Sequence, residues 1–242
     1  MSIPKIIHYC WFGGGPISPE SRKCMESWKK YCPDYKIMAW NEQNFDISAN
    51  RYARQAYAAK KYAFVSDYAR LAVLYEYGGI YLDTDVELVR PLDELLEYKG
   101  FIGMEHSAPS PYGRTLLVNT GSGVGAEPGC EMIGKMLASY RNAAFVQETG
   151  EPDLRTCTQR DTPLFTKAGL QQKNEQQELD GFLVLPTDCF SPFDYVTERM
   201  QRTPRTFGIH YYQGSWQSGD KANRWRKRFK CTKVGRWCMW LR

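Results

Sequence analysis

A helical run that stops at a glycine pair and passes straight into a three-residue apolar strand constrains this 242-residue chain most. Val65, Tyr68, Ala69 and Ala72, with Leu71, Leu74 and Tyr75, recur at three- and four-residue spacing, the period of a helix. Gly78-Gly79 supplies the helix stop. Ile80-Tyr81-Leu82 reads as a very short strand, and it ends in Asp83-Thr84-Asp85. Upstream, residues 5–12 form an apolar run closed by Gly13-Gly14-Gly15-Pro16, a strand and its turn. Ser18-Pro19-Glu20 opens a helix to about Tyr31, with serine as cap and proline at the first helical position. Residues 35–40 read as a second strand. Strand, helix, strand in this order predicts a parallel βαβ unit and an α/β fold.

The rest of the chain fits that class. Residues 50–77 read as helical with a break near Lys60-Lys61. After Val86-Glu87-Leu88, residues 93–98 read as a short helix, 101–105 and 115–119 as strands, and 130–141 as a helix. Residues 142–160 read as loop, Thr162-Pro163 as the start of another helix, and 182–185 and 207–211 as strands. Ligands of such sheets gather at the carboxyl ends of the strands, where Asp83 and Asp85 stand.

Two carboxylates spaced i and i+2 on an extended segment point to one face, with Thr84 turned away. A pair of this kind makes a hard oxygen site suited to Mg²⁺ or Mn²⁺, ions that keep positions free for phosphate oxygens. A bare D-x-D is a weak signal, since most such pairs are solvated turns. Its surroundings strengthen it. Ser66-Asp67 and Arg70 lie one helix earlier, and Asp67 and Arg70, three apart, share a helical face.

The run from Ser66 to Asp85 resembles the DXD-containing sugar-binding region of glycosyltransferase family 32, through S-D-x-x-R followed by L-Y-x-x-G-G-x-Y-x-D-x-D. That group includes yeast α-mannosyltransferases, bacterial capsule enzymes and, more distantly, clostridial glucosylating toxins. Ile7-His8-Tyr9-Cys10-Trp11-Phe12-Gly13 is similar to the family's opening I-H-x-x-W-x-G, and His210-Tyr211-Tyr212-Gln213-Gly214-Ser215-Trp216 to its closing H-x-x-x-x-S-W. The resemblance implies a GT-A fold, Rossmann-like with a mostly parallel central sheet and flanking helices. It implies a glycosyltransferase that retains the anomeric configuration and uses a nucleotide diphosphate sugar. Trp11 and Phe12 would lie at the donor, the tryptophan stacking on the base, a contact worth about 1–3 kcal/mol. Asp67 and Arg70 would hold ribose or sugar hydroxyls, and Asn119 would orient the donor sugar. Asp83, Asp85 and His210 would hold the ion, and Ser215 and Trp216 would sit near the diphosphate, completing the catalytic set. An imidazole ligand favours manganese over magnesium. The toxin-like tryptophan block favours UDP over GDP. Val118-Asn119-Thr120-Gly121 and Asp161-Thr162-Pro163 match the acceptor-side segments loosely, and Glu105 and Asp161 are nucleophile candidates by position only. A front-face route through the departing diphosphate is the favoured mechanism.

Charge is unevenly placed. The chain carries +5, but residues 219–242 hold nine Lys/Arg and one Asp, net +8, so the remainder sums to −3. The domain is therefore read as 1–218, with 219–242 a basic aromatic tail. Trp225 and Phe229 are one helical turn apart, as are Trp237 and Leu241, which suits either an interfacial helix on an anionic membrane or a terminal helix packed on the domain. The membrane reading implies a lipid-linked saccharide acceptor, as in surface polysaccharide synthesis. No window of about 18 apolar residues reads as a spanning helix, and residues 1–5 lack the features of a secretory signal, so the expected location is cytoplasmic or peripheral on the inner membrane face. Eight cysteines without a C-x-x-C pair read as reduced thiols. Two rival readings fit the residues less well. Leu82-Asp83-Thr84-Asp85-Val86 also resembles the first motif of haloacid-dehalogenase-type phosphatases, but the later Asp-Asp pair of that group is absent. A nucleic-acid binder using the basic tail is disfavoured by the acidic body.

Overall fold

A computed structural model describes residues 2–213; residues 214–242, and with them Ser215, Trp216 and the basic tail, lie outside the described residues, as does the expected 218/219 boundary. The chain opens with β1 (Ile6–Cys10), α1 (Pro19–Tyr31) and β2 (Lys36–Trp40), and β1 and β2 pair in parallel from Ile6↔Lys36 to Cys10↔Trp40. The Ser18 hydroxyl accepts from Ser21 N at 3.0 Å, capping α1 beside a proline at its start. Then come α2 (Arg51–Ala58), α3 (Tyr62–Tyr77), β3 (Gly79–Tyr81) and β4 (Val86–Leu88). The break between α2 and α3 falls where Lys60 takes φ 57°.

The glycine pair is explained by what surrounds it. Gly78 and Gly79 both have positive φ, 62° and 99°, and a Cβ on Gly79 would lie 2.8 Å from Ile6 O and 2.9 Å from His8 Nε2. His8 is buried there: Nδ1 accepts from Trp40 Nε1 at 3.0 Å, so Nε2 carries the proton and donates to Gly78 O at 2.8 Å. Burial pushes its pKa down to about 4. α3 therefore ends on β1, and β3 starts beside it in parallel, Ile7↔Ile80.

The second half contributes β5 (Gly100–His106), β6 (Leu116–Ala126), α4 (Glu131–Ala138), α5 (Cys157–Lys167), β7 (Gln177–Leu179), β8 (Phe182–Leu185), α6 (Thr187–Phe190), β9 (Phe193–Asp194), β10 (Arg199–Met200) and β11 (Gly208–His210). The central sheet has seven strands in the order β2-β1-β3-β6-β5-β8-β7. Five run in one direction and β6 and β7 run against them, the mostly parallel α/β layer that was expected. A separate pair, β4 with β11, brings His210 opposite Val86.

Side-chain alternation splits the core into two layers. Tyr81, Ile102 and Val184 pack on one face with α3, while Ile80, Leu82, Phe101 and Leu183 pack on the other with Trp28 of α1. α1 also anchors β4: Trp28 Nε1 donates to Val86 O at 2.7 Å and Leu88 N donates to Ser27 Oγ at 2.8 Å.

Three expectations are corrected. β6 does not stop at Asn119 but continues to Ala126. Gly121, Gly123 and Gly125 fall in this extension, at positions where a Cβ would meet Asp83 (2.2 Å), Phe190 (2.6 Å) and Phe101 (2.4 Å). α5 starts at Cys157, before Thr162-Pro163, because Thr156 and Gln159 form a capping box. The helix near 93–98 is a three-residue 3₁₀ turn, Asp93–Leu95. Among the described residues the six cysteines form no disulfide, and no described helix is long and apolar enough to cross a membrane.

Candidate active site

The carboxyl ends of β1 and β3 open onto one region. Leu82 N donates to His8 O at 3.1 Å and Asp83 N donates to Gly121 O at 2.9 Å, so the chain is sheet-bonded up to Asp83. There it turns: Val86 N donates back to Asp83 O at 3.0 Å. The Asp83-Thr84-Asp85 segment is thus a tight turn between β3 and β4, not the extended stretch expected. The two carboxylates converge by reversal of the chain, and β11 brings His210 to them. One ligand atom from each of Asp83, Asp85 and His210 lies within 4.8 Å of the other two.

Asp83 is aimed by its own strand and by α3. Tyr81, on the same face two residues earlier, donates its hydroxyl to Asp83 Oδ1 at 2.9 Å. Arg70 Nη2 donates to that oxygen at 3.3 Å and pairs with Asp67 Oδ1 at 3.1 Å. The rest of the guanidinium is engaged too: Nε to Ser66 O at 3.2 Å, Nη1 to Thr120 Oγ1 at 3.1 Å, with the plane 4.7 Å above the Tyr81 ring. Arg70 is 3% exposed, so its pair with Asp67 is not the ordinary surface contact its spacing allows. Burial works against its charge, but Asp83, Tyr81 and Asp67 hold it firmly ionised. Burial lifts Asp67 to about 6 despite Arg70. Arg70 is the brace that ties Asp67 of the helix to Asp83 of the turn.

Asp85 and His210 form the second half. Asp85 Oδ1 stands 3.4 Å from His210 Nε2, and Oδ2 accepts from Gln213 N at 2.7 Å. Burial resists the charge of Asp85, but His210 and that amide keep its carboxyl below the usual range. Burial likewise opposes the charging of His210, yet Asp85, Asp83 and Glu105 raise its pKa. Asn119 lies deeper and is 5% exposed: its Nδ2 donates to Glu105 Oε2 at 2.7 Å, and its Oδ1 accepts from Gly121 N at 2.7 Å. Tyr212 donates to the same Glu105 oxygen at 2.9 Å.

The other anticipated residues are placed as follows. Trp11, half-buried at the end of β1, donates Nε1 to Gly15 O at 2.6 Å. Phe12 is 6% exposed and packs edge-on against Phe45, inside the core layer shared with α3. Asp161 sits on α5, 1% exposed, and among the described residues neither carboxyl oxygen finds a hydrogen-bond partner. Burial, then the charge of Asp67, lifts it to about 8. Ser215 and Trp216 lie outside the described residues. Sequence reasoning missed Tyr81 and Thr120 as supports of Asp83 and Arg70, and Tyr212 as a neighbour of His210. Strand parity could have found Tyr81, which is two residues before Asp83; nothing in the sequence points to the other two.

The three converging groups suit a divalent cation. Two carboxylates and an imidazole are hard and borderline donors, the set that Mn²⁺ and Mg²⁺ accept. Ligand atoms around an octahedral ion with bonds of about 2.1 Å stand roughly 3.0–4.2 Å apart, so a spread of up to 4.8 Å closes with small rotations.

Residues 18–102 match the family described as "Glycosyltransferase sugar-binding region containing DXD motif". The chain is 33% identical over 112 residues to inositol phosphoceramide mannosyltransferase 3 of Schizosaccharomyces pombe, covering 42% of this chain and 29% of that protein. It is 37% identical over 84 residues to glucan organizing enzyme 1 of Cryptococcus neoformans var. grubii, covering 34% of this chain and 22% of that protein. The chain thus spans a third or less of the length of the curated relatives it matches. Among solved structures, the PaToxG glycosyltransferase is similar, with a TM-score of 0.47 and 24% identity over 69% of this chain and 72% of that one.

Proposed function

With the DXD-containing glycosyltransferase sugar-binding region present at residues 18–102, we propose that the chain is a metal-dependent, retaining glycosyltransferase. It takes a hexose from a nucleotide diphosphate donor, UDP favoured, and passes it to a saccharide acceptor. The observation that carries this reading is the meeting of Asp83, Asp85 and His210 at the carboxyl ends of the strands.

Each residue has a role consistent with its surroundings. Asp83, Asp85 and His210 would hold Mn²⁺ or Mg²⁺, which would supply Lewis-acid stabilisation of a diphosphate leaving group. Arg70 fixes Asp83 through Oδ1, leaving Oδ2 for the ion, and Asp67 shares Arg70 from the other side. Trp11 offers an aromatic face to the nucleotide base. Asn119, bonded to Glu105 and Gly121, is assigned the role of orienting the sugar. Ser215 and Trp216 follow Gln213 in sequence, whose amide already bonds Asp85, and they act on the diphosphate oxygens.

Retention by a front-face route is supported by the state of the alternative nucleophiles. Asp161, held at about 8, carries a proton at neutral pH, and burial raises Glu105 as well. Asp161 is therefore no ready carboxylate for a covalent step, and Glu105 is engaged at Oε2 by both Asn119 and Tyr212. A lipid-linked acceptor is supported by the basic aromatic composition of residues 219–242 and by the name of the mannosyltransferase relatives, which denotes a phosphoceramide lipid. This suits work on surface polysaccharide at the cytoplasmic membrane face.

The test is a donor panel of UDP-hexoses and GDP-mannose with Mn²⁺, scoring nucleotide release by slow hydrolysis with wild type and Asp85→Ala. Wild type is expected to release one nucleotide in a metal-dependent way and Asp85→Ala to lose it. No metal-dependent release from any donor, together with no thermal protection by UDP or GDP, would overturn the reading.

A further inference from the structure

His210 has one ring nitrogen without support. Nε2 faces Asp85, while Nδ1 is buried and no described group hydrogen-bonds to it. A metal-ligating histidine ordinarily has its second nitrogen held by a carboxylate or carbonyl, which sets the tautomer and the direction of the ring. Here a flat ring lies against the imidazole instead. The Tyr212 ring is centred 4.1 Å from that of His210 with 33° between the planes.

Tyr212 is itself pinned. Its hydroxyl donates to Glu105 Oε2 at 2.9 Å, and that oxygen is fixed by Asn119 Nδ2 at 2.7 Å, so the support runs back into β5 and β6. The Tyr195 ring packs 5.0 Å away. The backbone is bent to make this possible: Tyr212 has φ 49°, a conformation that costs energy for any residue with a Cβ. The same bend lets the flanking amides close on Asp85, Tyr211 N to its carbonyl at 3.1 Å and Gln213 N to its carboxylate at 2.7 Å. One strained residue thus lays a ring on one candidate ligand and fastens the chain to the other.

We propose that Tyr212 is a positioning residue for the divalent cation: its ring, held by Glu105 and Asn119, sets the plane of His210 in place of a hydrogen bond at Nδ1. This rests on Asp83, Asp85 and His210 being the metal site. The experiment measures Mn²⁺ affinity of the full chain by loss of the free-ion EPR signal, without donor, beside urea unfolding in EDTA. Tyr212→Phe keeps the ring and is expected to bind Mn²⁺ within about threefold of wild type, whereas Tyr212→Ala and Tyr212→Gly are expected to bind about 10- to 100-fold more weakly. Glycine fits the positive φ, so Tyr212→Gly should unfold at higher urea than Tyr212→Ala while binding the ion no better. A merely structural residue would make affinity follow stability, with glycine recovering both. That ranking, or alanine and glycine variants that bind as wild type does, overturns the proposal. Asp85→Ala separates the premise: if it too binds Mn²⁺ as wild type does, the metal site itself is wrong and the proposal falls with it.

Discussion

Gly121→Ala tests the site through a single methyl group. Gly121 has no positive φ, so alanine brings no backbone strain there, and its effect is steric. The new Cβ would lie 2.2 Å from Asp83 Oδ2, where ordinary contact begins at 3.4 Å, so the carboxylate must retreat by about 1.2 Å. It is not free to do so. Oδ1 is held by Tyr81 and Arg70, and Asp83 N is bonded to Gly121 O at 2.9 Å, which keeps the two residues side by side. Either Asp83 leaves Arg70, or β3 and β6 part at their ends; overpacking of this kind costs about 1–3 kcal/mol. Gly123→Ala is the companion. Its Cβ would meet Phe190 at 2.6 Å, an apolar clash of similar size away from the carboxylates. Urea unfolding should show both variants destabilised by about 1–3 kcal/mol. Mn²⁺ titration should show Gly121→Ala weakened at least about tenfold and Gly123→Ala close to wild type, as expected when a ligand is displaced rather than the fold. If Gly121→Ala binds Mn²⁺ like wild type and unfolds at the same urea concentration, Asp83 does not stand against β6, and the geometry assigned to the turn is wrong.

Two further outcomes are expected. Arg70→Met strands the buried Asp67 carboxylate and takes one partner from the half-buried Asp83, and should lower stability by about 3–5 kcal/mol in urea at pH 7.5. That loss should shrink at pH 5.5, below the value of about 6 at which Asp67 takes a proton; an equal loss at both pH values would show that Asp67 is not held by Arg70. Asp161→Asn should change the pH profile of unfolding. The carboxyl ionises near 3.8 in the unfolded chain but only at about 8 when folded, so from pH 4 to 8 the folded state holds the extra proton and wild type loses stability as pH rises. The variant should escape that loss, worth at most about 5–6 kcal/mol, and exceed wild type at pH 8 while matching it near pH 4; parallel profiles would refute the assignment.

Local pattern alone was enough to read the first half of the fold. The serine cap and proline of α1, the interruption at Lys60, and the glycines after Tyr77 all act within a few residues, so their physics is written in adjacent letters. The pairing of Asp83 with Asp85 and the neighbourhood of Arg70 were legible for the same reason. The alternating glycines of β6 were not. A glycine at every second position adds no apolar strand pattern, and the groups that require it, Asp83, Phe190 and Phe101, come from three distant segments. The start of α5 was hidden in the same way behind Pro163, which looks like a first-turn residue although it lies within the helix.

At the site the division is sharper. The sequence by itself determined which side chains could bind a cation and a sugar, because charge, imidazole and aromatic faces belong to residue types and their spacing. Tertiary structure alone decided how those groups meet. The carboxylates converge through a tight turn rather than along a strand, His210 arrives by pairing of β11 with β4, and Arg70 braces Asp83 from a buried position. Hydrogen bonds between residues far apart in the chain leave no periodic mark. For that reason the support of His210 by Tyr212, and of Tyr212 by Glu105, becomes visible only once the chain is folded.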